Sequence, residues 1–168
     1  MAFNLEVLVV GQENKSDLIN DTKIQVITES EEDILHESDR ELLKEEFIYN
    51  IKGVWHTLGI DNDGLLGTQG LLETNFDKPI NQNHYEWLKN QDCLENITPI
   101  EVHEDYLDDM RTLLSILIEL SPVKMILLLA RYQGGDTEII QGPIPFDLYM
   151  EMLQEQKIPF NVYSLIKG

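Results

Sequence analysis

The stretch KMILLLARYQGGDTEIIQG, residues 124–142, decides the fold of this chain. Residues 125–130 are apolar at odd and even positions alike, which is typical of a strand that is covered on both faces. The pair Gly134 and Gly135, followed by Asp136, is typical of a tight turn between two strands. Residues 137–141 would form the return strand. The stretch therefore predicts a β-hairpin in the central sheet.

Two other interpretations of the same stretch are excluded. A membrane helix needs about 20 consecutive apolar residues, and no run in the sequence approaches that length. A phosphate-binding loop would need further glycines in register, a lysine and a helix after the turn, and the stretch has none of these. Residues 1–10 also lack the basic segment and cleavage pattern of a signal peptide, so we predict none.

The remaining elements follow from periodicity. Apolar side chains three or four residues apart predict a helix from residue 39 to Gly59, and they are Leu43, Phe47, Ile51, Val54 and Leu58. Further helices are predicted at residues 84–91, 106–120 and 145–156, and further strands at residues 5–10, 22–28, 98–102 and 159–167. Residues 59–83 are rich in glycine and predict a long, weakly structured loop.

Helices and strands that alternate in this way predict a mixed α/β architecture of the α+β kind. We expect one domain over residues 1–168, with a mixed β-sheet, a C-terminal β-hairpin and packed helices.

The strongest compositional signal is the charge. The chain has 31 acidic and 12 basic residues and a net charge of −19. Solubility of a small domain needs a net charge of only about 2 to 8 in magnitude, and repulsion among the excess acids opposes folding. Such a surface repels nucleic acids and anionic lipids and attracts basic proteins. We therefore expect no nucleic-acid or membrane partner, and a basic protein partner would relieve the repulsion.

The acids concentrate in two segments. Residues 29–46 hold nine acids and two bases, and residues 101–109 hold five acids and no lysine or arginine. The acids of residues 29–46 are partly explained by a solvated helix face. The acids of residues 101–109 and of the loop at residues 59–83 predict a local negative surface, if the fold brings these two segments together. The expected partner contacts are Asp61, Asp63, Asp77, Glu101, Glu104, Asp105 and Asp108, with Glu41 and Glu45 as second choices.

No motif predicts a metal or cofactor site. Residues 61–64, DNDG, resemble part of a calcium loop, but glycine would then occupy the first and closing ligand positions, so we predict an exposed Asx turn instead. His84 and Glu86 match half of a zinc deaminase signature, whose other half needs two cysteines. The chain has only Cys93, which we expect to be inert and which fits a reducing, cytoplasmic location.

A catalytic set is also not apparent. His103, Glu104 and Asp105 form a cluster capable of acid–base chemistry, but carboxylates are also favoured in the first turn of a helix, and the simpler prediction is that they begin the helix that follows. We therefore predict that the protein is not an enzyme.

The C-terminal part of the chain, MILLLARYQGGDTEIIQGPIPFDLYMEMLQEQKIPFNVYSLIK (residues 125–167), resembles the ends of bacterial immunity proteins that accompany polymorphic toxins, including those of contact-dependent growth inhibition systems. The similar features are the apolar strand, the glycine turn, the segment EIIQG, the short helix and the closing strand. The resemblance implies a cytoplasmic antitoxin that binds and blocks a cognate toxin domain, often a nuclease. It carries no functional residues onto particular positions.

The charge agrees with this expectation, because a nuclease toxin is commonly basic and an acidic inhibitor would associate with it rapidly. Two alternatives remain. The first is a small cytoplasmic enzyme or metal-dependent protein with an unrecognised site, which a pocket lined by His103, Glu104 and Asp105 would favour. The second is an acidic domain that mimics nucleic acid and binds several basic proteins.

Overall fold

The computed structural model of the protein describes residues 3–13, 22–28, 52–62, 64–74, 99–132, 140–160 and 162–168. The strands are β1 (Phe3–Val10), β2 (Gln25–Thr28), β3 (Gly53–Asn62), β4 (Leu65–Gly67), β5 (Leu72–Thr74), β6 (Ile100–Val102), β7 (Met125–Tyr132), β8 (Ile140–Pro145) and β9 (Tyr163–Lys167). The helices are α1 (Leu107–Leu120), which follows a 3₁₀ turn at Glu104–Tyr106, and α2 (Phe146–Gln154).

The main sheet has the strand order β2-β3-β1-β7-β9-β8, and β4 pairs with β3. Neighbouring strands are antiparallel except β8 and β9, which are parallel, so the sheet is mixed. Strands β5 and β6 form a separate antiparallel pair. The predicted α+β class, with a mixed sheet and packed helices, is confirmed.

The predicted C-terminal hairpin is wrong in its strand pairing. β7 pairs with β1 and β9, and β9 lies between β7 and β8. Four of the five residues of β9 are buried, as expected for an interior strand, whereas β8 carries Pro143 and Pro145, which cannot donate ladder hydrogen bonds and suit an edge. Because β8 and β9 are parallel, α2 serves as the crossover between them. The Gly134-Gly135 turn lies outside the described residues.

The predicted helix over residues 39–59 is wrong from Gly53 onward, where β3 begins. Val54 and Leu58 lie on one face of this strand and are buried. Gly53 is in close contact with β1, since a Cβ atom there would lie 2.1 Å from the carbonyl oxygen of Val9. Residues 39–51 and the predicted helix at residues 84–91 lie outside the described residues.

The predicted loop over residues 59–83 is also partly wrong. β3 continues to Asn62, and β4 and β5 follow within the same segment, while residues 75–83 lie outside the described ones. Within this segment Asp61 holds a turn, because its Oδ1 atom accepts a hydrogen bond of 2.9 Å from the backbone nitrogen of Gly64. The bond reaches three residues along the chain, whereas the predicted Asx turn would reach two. Gly64 has φ +88°, which is a left-handed conformation that glycine adopts without steric cost.

The helices cover one face of the sheet, and this is where the larger core lies. Its sheet residues include Val7, Val9, Ile126 and Leu128, and its helix residues include Met110, Leu114, Leu117, Tyr149 and Leu153. The opposite face also contains a buried cluster, formed by Leu8, Trp55, Leu127, Leu129, Tyr163 and Leu165. Burial on both faces explains the unbroken apolar run of β7, as the sequence predicted. Neither α1 nor α2, the helices of the described residues, is long and apolar enough to cross a membrane.

The substitution Gly53→Ala should change the stability in opposite directions in a strand and in a helix, because Gly53 contacts Val9 in the strand. In a helix, Gly53→Ala would stabilise the fold by about 1 kcal/mol. In the observed strand, the new methyl group collides with the Val9 carbonyl, so we expect the free energy of unfolding in urea to fall by more than about 1 kcal/mol. Gly64→Asn is the control, since the space around Gly64 is open and asparagine tolerates positive φ. A stabilised Gly53→Ala variant would contradict the strand.

The lowered pKa of His56 predicts that the free energy of unfolding depends on pH. His56 is buried on β3, its Nε2 atom lies 3.0 Å from Gln12 Oε1, and burial lowers its pKa from 6.5 to about 4. Between these values the unfolded chain binds a proton at His56 that the folded chain does not, so stability is complete above pH 6.5 and falls as the pH drops toward 4. The variant His56→Gln retains an amide for hydrogen bonding and does not titrate.

We therefore expect the free energy of unfolding to drop less between pH 7 and pH 4.5 in His56→Gln than in the wild type, when both are measured by urea titration. The comparison cancels the effect of the carboxylates, which titrate in both proteins. Equal drops in the two proteins would show that His56 is not the group responsible.

Candidate functional site

A pocket of about 290 Å³ opens where β6, the start of α1 and the end of α2 meet. Its lining combines carboxylates, amides, one imidazole and aliphatic side chains, and it consists of Glu101, Val102, His103, Glu104, Leu107, Leu153, Gln154 and Gln156. This volume lies just below the range for small-ligand pockets, which is about 300 to 1,000 Å³.

Strand β6 presents Glu101 to this pocket. Ile100 and Val102 are buried in the core, so alternation along the strand leaves Glu101 half-buried between them. β6 pairs with β5 on one side, and the Ile100 backbone nitrogen also donates a hydrogen bond of 2.7 Å to the Ile158 carbonyl. The carboxylate is held as well, since Gln156 Nε2 donates a hydrogen bond of 3.2 Å to Glu101 Oε1.

His103 organises the turn that carries Glu104. Its backbone nitrogen donates to the Leu71 carbonyl at 3.0 Å, and its Nδ1 atom accepts a hydrogen bond of 3.2 Å from the Asp105 backbone nitrogen. His103 is thus the N-cap of the 3₁₀ turn, and Glu104 and Asp105 lie in its first turn, as the sequence predicted. Nδ1 also lies 3.4 Å from Asp105 Oδ2.

The end of α2 supplies the opposite wall. The Gln156 nitrogen donates to the Leu153 carbonyl and the Lys157 nitrogen donates to the Met152 carbonyl. This pair of hydrogen bonds is the Schellman motif, in which the residue beyond the cap is left-handed and is usually glycine. Here that residue is Gln156, with φ +58°. A side chain in this conformation costs about 1 kcal/mol, and in return the Gln156 amide reaches Glu101.

The pocket has no lysine or arginine in its lining. The basic residue in the first turns of α1, Arg111, is engaged elsewhere, because its Nη1 atom lies 3.3 Å from Asp147 Oδ1 and its guanidinium lies over the Phe146 ring at 5.7 Å. Lys157, which directly follows the lining residue Gln156, pairs with Glu155. Among the described residues, no lysine or arginine forms an ion pair with Glu101 or Glu104. Chemically, the site is suited to bind a cation.

The structure brings together part of the predicted contact set. Glu101 and Glu104 line the pocket, and Asp105 lies beside it in the same turn. Asp108 is exposed in the first turn of α1 and does not line the pocket, and Asp61 is exposed on the hairpin between β3 and β4. Outside the described residues lie Asp63, Asp77, Glu41 and Glu45.

Sequence reasoning missed the α2 side of the pocket, namely Leu153, Gln154 and Gln156. The helix itself was predicted, but a glutamine carries no signal for a left-handed conformation. Only the contact between Gln156 and Glu101, which are 55 residues apart in the sequence, reveals the role of this end of α2.

The pocket bears on the enzyme alternative as well. His103 and Glu104 line it, although Asp105 does not. Within the described ranges, no three His, Cys, Asp or Glu side chains are grouped so that they could hold a metal ion. The chemistry that this lining offers is hydrogen-bond acceptance by carboxylates and amides, with one imidazole at the edge.

Comparisons of this chain with models of known protein families, with curated proteins and with solved structures find no match. The function is therefore inferred from the site's own geometry and charge.

The left-handed Gln156 gives a stability prediction. Gln156→Gly and Gln156→Ala both remove the hydrogen bond to Glu101, but only alanine retains a Cβ atom in the left-handed conformation. We expect Gln156→Gly to exceed Gln156→Ala in free energy of unfolding by about 1 kcal/mol. Chemical denaturation of the two variants side by side measures this difference. Equal stabilities would show that residue 156 is not left-handed in solution.

Proposed function

We propose that the protein is an immunity-type inhibitor that binds one basic toxin domain, of the nuclease kind, and blocks it. The observation that carries the proposal is the uncompensated acidic pocket at β6 in a chain of net charge −19. The resemblance of residues 125–167 to immunity proteins supports the same class.

The contact surface would be centred on the pocket and extend over the adjoining exposed acids. Glu104, Asp105 and Asp108 follow one another over the 3₁₀ turn and the first turn of α1, and all three are exposed. Acids grouped in this way create a field that orients a basic partner during approach, which raises the association rate. Direct pairs formed after docking then determine how long the complex persists.

A second candidate function is favoured by one observation, the presence of His103 and Glu104 in the same pocket, with the Asp105 backbone nitrogen donating a hydrogen bond to the imidazole. This arrangement is capable of general acid–base chemistry on a small cationic substrate. It differs from the inhibitor in its dependence on the imidazole, because His103→Asn removes the catalytic base but keeps an N-cap acceptor and the negative charge of the surface.

The test starts from the genes that flank this one: a large secreted protein encoded there would supply its C-terminal domain as the toxin domain to be tested. The association rate with the inhibitor is measured by stopped flow at salt concentrations from 0.1 to 1 M, over which the Debye length falls from about 10 Å to about 3 Å. We expect the rate to fall by at least about tenfold, since screening removes the long-range attraction.

Charge reversal locates the surface. Glu104→Lys with Asp108→Lys should slow association at 0.1 M salt by about tenfold. Glu13→Lys with Glu119→Lys is the matched control, because it changes the net charge equally and both residues lie away from the pocket. Glu119 lies in the last turn of the 14-residue helix α1, and Glu13 is exposed just after β1, whose Val10 carbonyl accepts a hydrogen bond from Ser121 beyond that last turn. His103→Asn, which keeps an N-cap acceptor for the turn that carries Glu104, should retain binding and protection of cells. Absence of binding would remove the inhibitor proposal, and loss of a catalytic activity in folded His103→Asn would favour the enzyme.

A further inference from the structure

We infer that the pocket receives an arginine side chain of the partner, an inference that rests on the proposed function for the existence of a basic partner. Four features of the pocket converge on this occupant: its charge, its aliphatic wall, the orientation of one carboxylate and the strain at Gln156.

The charge of the lining determines the sign of the occupant. Glu101 and Glu104 carry negative charge, and Gln154 and Gln156 add amide oxygens that accept hydrogen bonds. An anion would be repelled, and a neutral apolar group would strip water from two carboxylates without replacing their hydrogen bonds. A cation with several N–H donors meets both requirements.

The aliphatic wall determines the shape of the occupant. Leu107 is half-buried and supplies most of the apolar surface next to the acids, whereas Val102 and Leu153 line the pocket but are almost completely buried. A metal ion makes no use of such a surface. An arginine does, because its methylene stem packs on apolar side chains while its charged end reaches the polar groups.

The geometry at Glu101 favours arginine over lysine. Gln156 Nε2 holds Glu101 Oε1 at 3.2 Å and is the only described side chain that donates to this carboxylate. The carboxylate is thus oriented and still has acceptor capacity for a partner. A planar guanidinium binds an oriented carboxylate through two parallel N–H groups and is more weakly hydrated than an ammonium group. Glu104, on the neighbouring turn, is placed to accept from a remaining N–H.

The backbone of Gln156 supports a binding role for this arrangement. Residue 156 is a left-handed glutamine, although glycine would satisfy this helix end without strain. Strained residues of this kind cluster at binding sites. The side chain that glycine would lack is the one that holds Glu101.

The experiment titrates the full-length, ¹⁵N-labelled protein with N-acetyl-arginine amide and follows the amide resonances. We expect saturable shifts confined to residues 101–107 and 153–156, with a dissociation constant in the millimolar range that is usual for a single side chain. The citrulline analogue is the isosteric neutral control and should not bind. N-acetyl-lysine amide should bind at least about fivefold more weakly.

The variants are chosen to leave the fold intact. Glu101→Gln keeps an oxygen for the Gln156 amide and removes the charge, and it should weaken arginine binding by about tenfold, as should Glu104→Gln. Gln156→Ala should weaken it by a smaller factor. Glu119→Gln removes one charge at the far end of α1 and should leave binding unchanged.

Equal binding of citrulline or lysine, or binding indifferent to Glu101→Gln, would overturn the arginine assignment. That result would not contradict the inhibitor proposal, which is tested separately by the association rate with the toxin domain and by the charge-reversal variants. Conversely, arginine binding without any binding of the toxin domain would retain the pocket assignment and remove the inhibitor proposal.

Discussion

Strand β7 is apolar on both faces, and both faces have to be kept from water. On one side α1 and α2 provide cover through residues such as Leu114 and Tyr149, and on the other side Leu127 and Leu129 pack into a second buried cluster. Of the flanking strands, β9 is also buried on both faces. β1 is buried along one face, through Leu5, Val7 and Val9, and on the other face at Leu8. The order of the sheet follows, with the most apolar strands at the centre and the proline-bearing β8 at the edge.

The strand order of the sheet also determines where the pocket lies. Because β8 and β9 are parallel, the chain has to cross the sheet between them, and α2 makes this crossing on the helix-covered face. The end of α2 therefore arrives beside β6, where the segment after it pairs with the strand through the Ile100–Ile158 hydrogen bond. Gln156 comes within reach of Glu101 as a consequence of sheet topology, not of any local sequence motif.

The spacing of apolar residues predicts an element correctly where it fits only a helix or only a strand. The prediction fails where the same spacing fits both. α1 repeats its apolar face over 14 residues, and only a helix has that period. Val54 and Leu58 are four apart, which places them on one face of a helix and also on one face of a strand, because four is an even number. Gly53, whose missing side chain allows β1 to approach, marks the change from one interpretation to the other.

The residues of the candidate site also fall into two groups, those that the sequence could predict and those that it could not. Charge is a local property, so Glu101 and Glu104 could be predicted from their cluster, whereas Leu153 and Gln156 enter the site only through tertiary contact. The pairing of β8 with β9 was unpredictable from the glycine turn for the same reason. A turn signal reports on the adjacent residues, but the neighbour of a strand is decided by the burial of the whole sheet.

Two features of the site lower the stability of the isolated protein. Glu101 and Glu104 add to the repulsion of a chain with net charge −19, and Gln156 holds a strained backbone conformation. A partner that supplies positive charge to the pocket would relieve the repulsion and use the carboxylate that Gln156 orients. Binding of this kind stabilises the folded state by RT ln(1 + [L]/Kd), which is about 2.7 kcal/mol when the partner is at 100 times its Kd. The left-handed conformation of Gln156 costs roughly 1 kcal/mol in the free protein. The stabilisation by the proposed partner would therefore be larger than this cost.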